Sequence, residues 1–143
     1  MVDPHPNLRP LSALQPSQLF ISIEKLANVQ TSIDFSTAEG IPPIPIKHLE
    51  GRWVMTDGHT RAYAAYRAGL ERILTVVEQD LLDWEAYLIC VGWCRSAGIT
   101  EIGDLDGRVL SAGEYALHWL DRCDQMHHDL DRLRGRSDRE ATS

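Results

Sequence analysis

The stretch Arg52-Trp-Val-Met-Thr-Asp-Gly-His-Thr-Arg61 decides the predicted fold, because its character changes from strand to helix around one glycine. Residues 52–56 are types that suit a half-buried strand. Residues 62–68 favour a helix, and Gly69 follows where a helix end accepts a left-handed backbone. We therefore predict a strand, a junction at residues 57–61 and a helix.

The flanking sequence extends this unit in both directions. Residues 41–46 contain three prolines with Ile44 and Ile46 alternating, which predicts an edge strand that pairs with residues 52–56 as a hairpin. Residues 73–77 are short, apolar and β-branched, so they predict the next strand and complete a strand-helix-strand crossover. The predicted fold class is α/β or α+β, with a small mixed sheet.

Outside this centre, helices alternate with breaks. Ser22 is a predicted cap of one helix, and Asp83 of a second that ends at Gly98. A third amphipathic helix is predicted over residues 113–134. The prolines near the start predict a flexible lead-in over residues 1–10, with at most a short strand at 11–14. The predicted organisation is a domain over residues 11–80, a helical extension over 81–134 and a flexible tail over 135–143.

Charge limits the kinds of partner. The net charge of −7 repels a phosphate backbone, so DNA is not expected as a partner. The negative charge is uneven, with five basic against three acidic residues in 47–72 and one against seven in 78–106. A small anion is therefore expected near Arg61 and a long polyanion is not. The sequence has neither an apolar run of membrane-spanning length nor a signal-peptide pattern, so we expect no membrane partner and a cytoplasmic protein with reduced cysteines.

The junction has the residue types of a phosphate site. A helix N-terminus exposes backbone N–H groups, Gly58 allows close approach, and Arg61 adds a fork of donors that Thr60 and His59 can supplement. An acid at position 57 suggests more than anion capture, because Asp57 can hold Mg²⁺, accept a proton or cap the helix. The alternative interpretation is purely structural, with Asp57 as a cap, Gly58 as a turn residue and Arg61 in solvent.

The arrangement of Pro42-Pro43-Ile44, Gly51, the junction, Ala64-Ala65 and Gly69-Leu70 resembles the ParB/sulfiredoxin superfamily over about residues 8–80. The resemblance implies a fold of that type and a nucleotide, ATP, ADP or CTP, whose phosphates contact Gly58, His59, Thr60 and Arg61. It also implies Asp57 as a base or metal ligand, with Glu39 aligning loosely with an acid of the small-molecule kinases of this fold. Whether the protein is such a kinase, a nucleotide hydrolase or no enzyme stays open.

Departures from that family leave alternatives. His59 stands where a sulfiredoxin has its reactive cysteine, which argues against sulfinic acid reduction, and no helix-turn-helix segment follows the domain. A non-catalytic ParB-like module, regulatory or DNA-associated, is the second hypothesis, and the C-terminal helices offer a surface for a homo-oligomer. A third is a zinc site on two helices, although cysteines at these positions are more typical of a buried core. Its ligands would be Cys90, Cys94, Cys123 and His127.

Overall fold

The computed structural model describes the backbone of residues 5–142 and the side chains of residues 5–135. Seven strands and five α-helices are present in this part of the chain. In chain order they are β1 (Asn7–Pro10), β2 (Leu14–Gln15), β3 (Ile21–Ser22), α1 (Ile23–Ser32), β4 (Ile44–Leu49), β5 (Arg52–Met55), α2 (His59–Arg67), β6 (Arg72–Val77), α3 (Trp84–Ser96), β7 (Val109–Leu110), α4 (Ala112–Tyr115) and α5 (Asp121–Thr142). Within the described residues, no helix is both long and apolar enough to cross a bilayer.

A five-stranded mixed sheet in the order β1-β6-β4-β5-β2 confirms the predicted fold class. The predicted hairpin is also confirmed: β4 and β5 are antiparallel and joined by Glu50 and Gly51, which both have positive φ. β4 lies between β5 and β6 and pairs in parallel with β6. The connection from β5 through α2 therefore crosses over β4 before it reaches β6. The buried side chains between this sheet and α2 include Ile44, Ile46, Met55, Ala62, Tyr63, Ala65 and Ile73.

The prediction that residues 41–46 form an edge strand is wrong, because β4 lies in the interior of the sheet. Pro45 is tolerated there because it precedes the first β4–β5 pair, Ile46 with Met55. Its carbonyl accepts the N–H of Thr56 at 3.0 Å, while its missing N–H leaves the Thr56 carbonyl without a ladder donor. The hydroxyl of Tyr87 donates to that carbonyl at 2.8 Å, so a side chain of α3 replaces the missing bond.

The predicted flexible lead-in is also corrected. Residues 7–10 form β1, which pairs antiparallel with β6, and the short strand expected at residues 11–14 is instead a 3₁₀ turn followed by β2. An edge strand needs donors on one side alone, so Pro10 does not interrupt the pairing of β1. Residues 1–4 of the predicted lead-in lie outside the described residues.

Helices α1 and α3 have the predicted caps. The side chains of Ser22 and Asp83 cap α1 and α3, and Gly98 follows α3 with a φ of +80°. The 3₁₀ turns Ala38–Gly40 and Ile102–Leu105 were not predicted, nor was the second small sheet, in which β3 and β7 pair in parallel.

The predicted helix over residues 113–134 differs from the structure at both ends and in its middle. α4 begins at Ala112, a π-helical turn Ala116–Leu120 follows, and α5 then continues beyond Arg134 to Thr142. The predicted tail is therefore helical in its backbone as far as Thr142, while Ser143 lies outside the described residues.

Candidate functional site

The junction lies where the sequence predicts it, between the end of β5 and the start of α2. Gly58 is the N-cap of α2 with φ +76° and ψ +19°, a backbone conformation that L side chains rarely adopt. Its N–H donates to the Asp57 carboxylate at 2.8 Å, and the first helical bond runs from the Ala62 N–H to the Gly58 carbonyl. The N–H groups of residues 59–61 therefore have no intrahelical acceptor and face out of the helix start.

Arg61 folds back beneath Gly58 instead of extending into solvent. Its Nη2 donates to the Pro43 carbonyl at 3.4 Å, and its Nε is buried without a hydrogen-bond partner. Within the described side chains, no carboxylate forms an ion pair with this guanidinium. A Cβ added to Gly58 would lie 2.7 Å from Ile44 Cδ1 and 2.8 Å from Arg61 Nη2, so a side chain here would displace the ends of both side chains and would also strain φ.

His59 has a different role from the one predicted for its ring. The side chain is 5 % exposed, and its Nε2 accepts the backbone N–H of Ser17 at 2.9 Å. The Ser17 hydroxyl donates to the Met55 carbonyl at 2.7 Å, which holds this loop against the end of β5. Burial lowers the pKa of His59 to about 4, and the nearby Asp57 opposes that shift less strongly. The ring is therefore a neutral acceptor inside the fold, and it is the backbone N–H of His59 that remains at the helix start.

Of the other predicted site residues, Asp57 and Thr60 lie at the junction, and Glu39 lies in a separate turn. Asp57 is exposed at the junction, and Thr60 is half-buried in the first turn of α2. Glu39 is exposed in the 3₁₀ turn Ala38–Gly40, and none of the contacts described for it joins it to the junction. The structure thus brings Asp57, Gly58, Thr60 and Arg61 together and leaves Glu39 outside the group.

A cavity of about 300 Å³ opens beside Asp57. Ser17, Thr56 and His59 line it from the sheet side, and α3 and the helices that follow α4 close the opposite side. Its residues from these helices include Ala86, Tyr87, Cys90, Trp119, Cys123, Met126 and His127. Arg61 is not among the residues that line the cavity, and its guanidinium donates to the Pro43 carbonyl instead.

The cysteines do not form the zinc site that was one alternative. The described residues contain no group of three or more His, Cys, Asp or Glu side chains placed to hold a metal ion. All three cysteines are free thiols, and Cys94 is fully buried with its pKa raised to about 12 by desolvation. Cys90 and Cys123 line the cavity and are hydrogen-bonded to each other, which raises the pKa of Cys90 and lowers that of Cys123.

Sequence reasoning missed Ser17, Gln18 and Tyr87, which line the cavity beside the junction. Ser17 contacts His59 across 42 positions of the chain, and no local pattern signals a contact at that distance. Trp53, in the strand that enters the junction, lies under the Arg9 guanidinium at 4.4 Å and edge-on to His48.

No family model and no curated protein matches this chain. Among solved structures, the chain is similar to protein Atu1540 from Agrobacterium tumefaciens, with a TM-score of 0.49 and 17 % sequence identity. The similarity covers 72 % of this chain and 62 % of that protein, so the chain spans less than two thirds of the length of its neighbour.

Proposed function

We propose that the junction at residues 57–61 binds the phosphate of a nucleotide. The observation that carries this proposal is the Arg61 guanidinium, which is held at the first turn of α2 with a buried Nε that has no partner. Burying half of a cation that has no carboxylate partner costs free energy, unless an anion binds to it and neutralises the charge. An anion in front of the helix would satisfy both this charge and the free N–H groups of the first turn.

Asp57 supports an extension of the proposal to phosphoryl transfer. One of its oxygens accepts the Gly58 N–H, and the residue also lines the cavity, so it lies between the proposed phosphate and a space for a second substrate. A carboxylate there can accept the proton of a hydroxyl group as that group attacks phosphorus. Glu39 is not among the residues that line the cavity, so we propose Asp57 for this role.

Mg²⁺ fits the same residues. It is commonly held by one or two carboxylates together with substrate phosphates, and Asp57 supplies such a carboxylate beside the proposed phosphate position. When bound, Mg²⁺ would neutralise charge between the Asp57 carboxylate and the phosphate, which otherwise repel each other. Asp57 would then hold the phosphate through the metal ion, and Arg61 would bind it directly.

The test is a titration of ATP, ADP and CTP, each with and without Mg²⁺, followed by thermal unfolding. A nucleotide at a hundred times its Kd stabilises the folded state by about 2.7 kcal/mol, which is a shift of several degrees for a chain of this size. Arg61→Ala should remove the shift, while Arg72→Ala removes the same charge from an exposed position in β6 and should retain it. No shift with any nucleotide, or an equal shift in Arg61→Ala, contradicts the site.

Binding and transfer are separated by a second measurement. With a nucleotide bound, release or transfer of its terminal phosphate is followed with hydroxyl compounds in excess, in the wild type and in Asp57→Asn. Transfer that is lost in Asp57→Asn while nucleotide still binds supports the kinase proposal. Nucleotide binding without any turnover supports instead the non-catalytic ParB-like module, in which the bound nucleotide is a regulator.

A further inference from the structure

Part of the lining of the cavity beside Asp57 is apolar. Tyr87 and Cys90 of α3 line it together with Trp119, Cys123 and Met126 of the helices that follow α4. At about 300 Å³ it has the size of the smaller pockets that bind organic ligands. Trp93 and Trp119 pack edge to face with ring centroids 6.2 Å apart, which fixes α3 against the helix that follows α4 next to the cavity that Trp119 lines.

Most of the polar groups in the lining are already used by the protein. The Ser17 N–H and hydroxyl bond to His59 and to the Met55 carbonyl, and both oxygens of Asp83 accept from Arg134 at 2.9 Å. These groups are therefore satisfied before any ligand enters.

Two oxygen acceptors are among the polar atoms that remain. Both bonds of the Gln18 amide nitrogen are made, to the Phe20 carbonyl and the Tyr115 hydroxyl, which leaves its carbonyl oxygen as an acceptor. Asp57 uses one carboxylate oxygen for the Gly58 N–H, and the second has no partner among the described groups. A ligand that matches this lining has an apolar body and a hydrogen-bond donor.

The charge of the lining also limits which ligands the cavity can bind. No lysine or arginine lines the cavity among the residues whose side chains the structure describes, whereas Asp57 and Asp83 do. Arg134 already neutralises Asp83, so the carboxylate of the lining that has no ion-pair partner among the described side chains is that of Asp57. The cavity therefore favours a neutral or cationic ligand, while the Arg61 side of the junction favours an anion.

We propose that this cavity is a second binding site, for a small molecule with an apolar, ring-sized body and a terminal amine or hydroxyl that donates to Asp57. The apolar part packs between Tyr87 and Met126, and the donor bonds to the free oxygen of Asp57. This site does not require a nucleotide, so it stands or falls separately from the phosphate site.

Four probes of one shape test the chemistry: benzylamine, benzyl alcohol, toluene and benzoate. Each is titrated into the whole chain without nucleotide, and backbone amide shifts are followed by NMR. Benzylamine and benzyl alcohol should shift amides of residues lining the cavity, toluene more weakly, and benzoate least. A charge pair at about 4 Å in a water-like environment corresponds to about a fivefold change in affinity, so Asp57→Asn should weaken benzylamine about fivefold and leave toluene unchanged.

Two controls keep the test decisive. Asp80→Asn removes the same charge from an exposed residue outside the lining and should leave all four affinities unchanged. In the wild type, saturating benzylamine should slow alkylation of Cys123, which lines the cavity, and saturating benzoate should not. This second measurement needs no variant, so it does not depend on whether a substituted chain folds.

Three results would overturn the proposal. One is benzoate binding as tightly as benzylamine, and another is an equal loss of benzylamine affinity in Asp57→Asn and Asp80→Asn. The third is an alkylation rate of Cys123 that does not respond to benzylamine. Because nucleotide is absent throughout, none of them bears on the phosphate proposed at Arg61.

Discussion

Acidification should destabilise the fold through His59 before its carboxylates are protonated. The imidazole is buried, and its Nε2 accepts the N–H of Ser17, so the folded state requires the neutral ring. The pKa is about 4 in the folded protein and close to 6.5 in the unfolded chain. Since the folded pKa is the lower one, the stability is fully present above pH 6.5 and is lost as pH falls towards 4.

The size of the effect follows from the difference between the two pKa values. A difference of one pKa unit corresponds to about 1.4 kcal/mol, so the shift in His59 amounts to a loss of about 3 kcal/mol. Most of this loss falls between pH 6.5 and 4.5. Asp83 and Asp106 also have lowered pKa values, from hydrogen bonds with Arg134 and with Tyr63, but carboxylates of this kind lose their contribution below about pH 4.

Urea unfolding, followed by tryptophan fluorescence at several pH values from 7.0 to 4.5, measures this dependence. The wild type should lose unfolding free energy with a slope that approaches about 1.4 kcal/mol per pH unit. His59→Gln keeps an acceptor for the Ser17 N–H and cannot titrate. Whatever the unfolding free energy of this variant is at pH 7, it should change little over this pH range. Parallel loss of stability in the wild type and His59→Gln would refute the assignment to His59.

Three further outcomes are expected. Gly58→Ala should lower the unfolding free energy by about 1–2 kcal/mol in urea and also weaken nucleotide binding, because its Cβ would meet Arg61 at a positive φ; unchanged stability would contradict the described contact. Asp106→Ala should cost about 1–2 kcal/mol in the same assay, because the hydroxyls of Tyr63 and Tyr66 lose their acceptor, and Asp80→Ala, which removes an exposed carboxylate that accepts no described hydrogen bond, serves for comparison. Iodoacetamide should modify Cys123 more than about ten times faster than the fully buried Cys94, as peptide mass spectrometry can show, and equal rates would contradict their placement.

Local sequence signals predicted the centre of the fold well. The hairpin β4–β5, the junction, α2 and β6 follow from residue types that act on their own neighbours: β-branched runs, Gly58 and Gly69 at positive φ, and side-chain caps. Asp83 is an example, because its carboxylate accepts the Ala86 N–H three positions later. Interactions of this range can be read from one sequence.

Features that depend on distant partners could not be read in this way. β3 and β7 are two residues long and exist because Ile21 pairs with Val109. β4 is interior because β6 arrives on its other side, and the missing donor of Pro45 is replaced by Tyr87 from another helix. The burial of His59 likewise depends on Ser17, which a local pattern does not place nearby. The position and the residue types of the junction were therefore predicted, but the contacts that its side chains make were not.

The separate surroundings of Asp57 and Arg61 have a chemical consequence. Asp57 lines the cavity, while Arg61 donates to the Pro43 carbonyl and is not among the lining residues. An anion attracted by Arg61 and a donor attracted by Asp57 would therefore occupy different positions at the junction. A site with a single charge would attract one of these ligands and repel the other. Opposite charges four residues apart therefore suit the two unlike ligands that we propose, a phosphate beside Arg61 and an amine or hydroxyl beside Asp57.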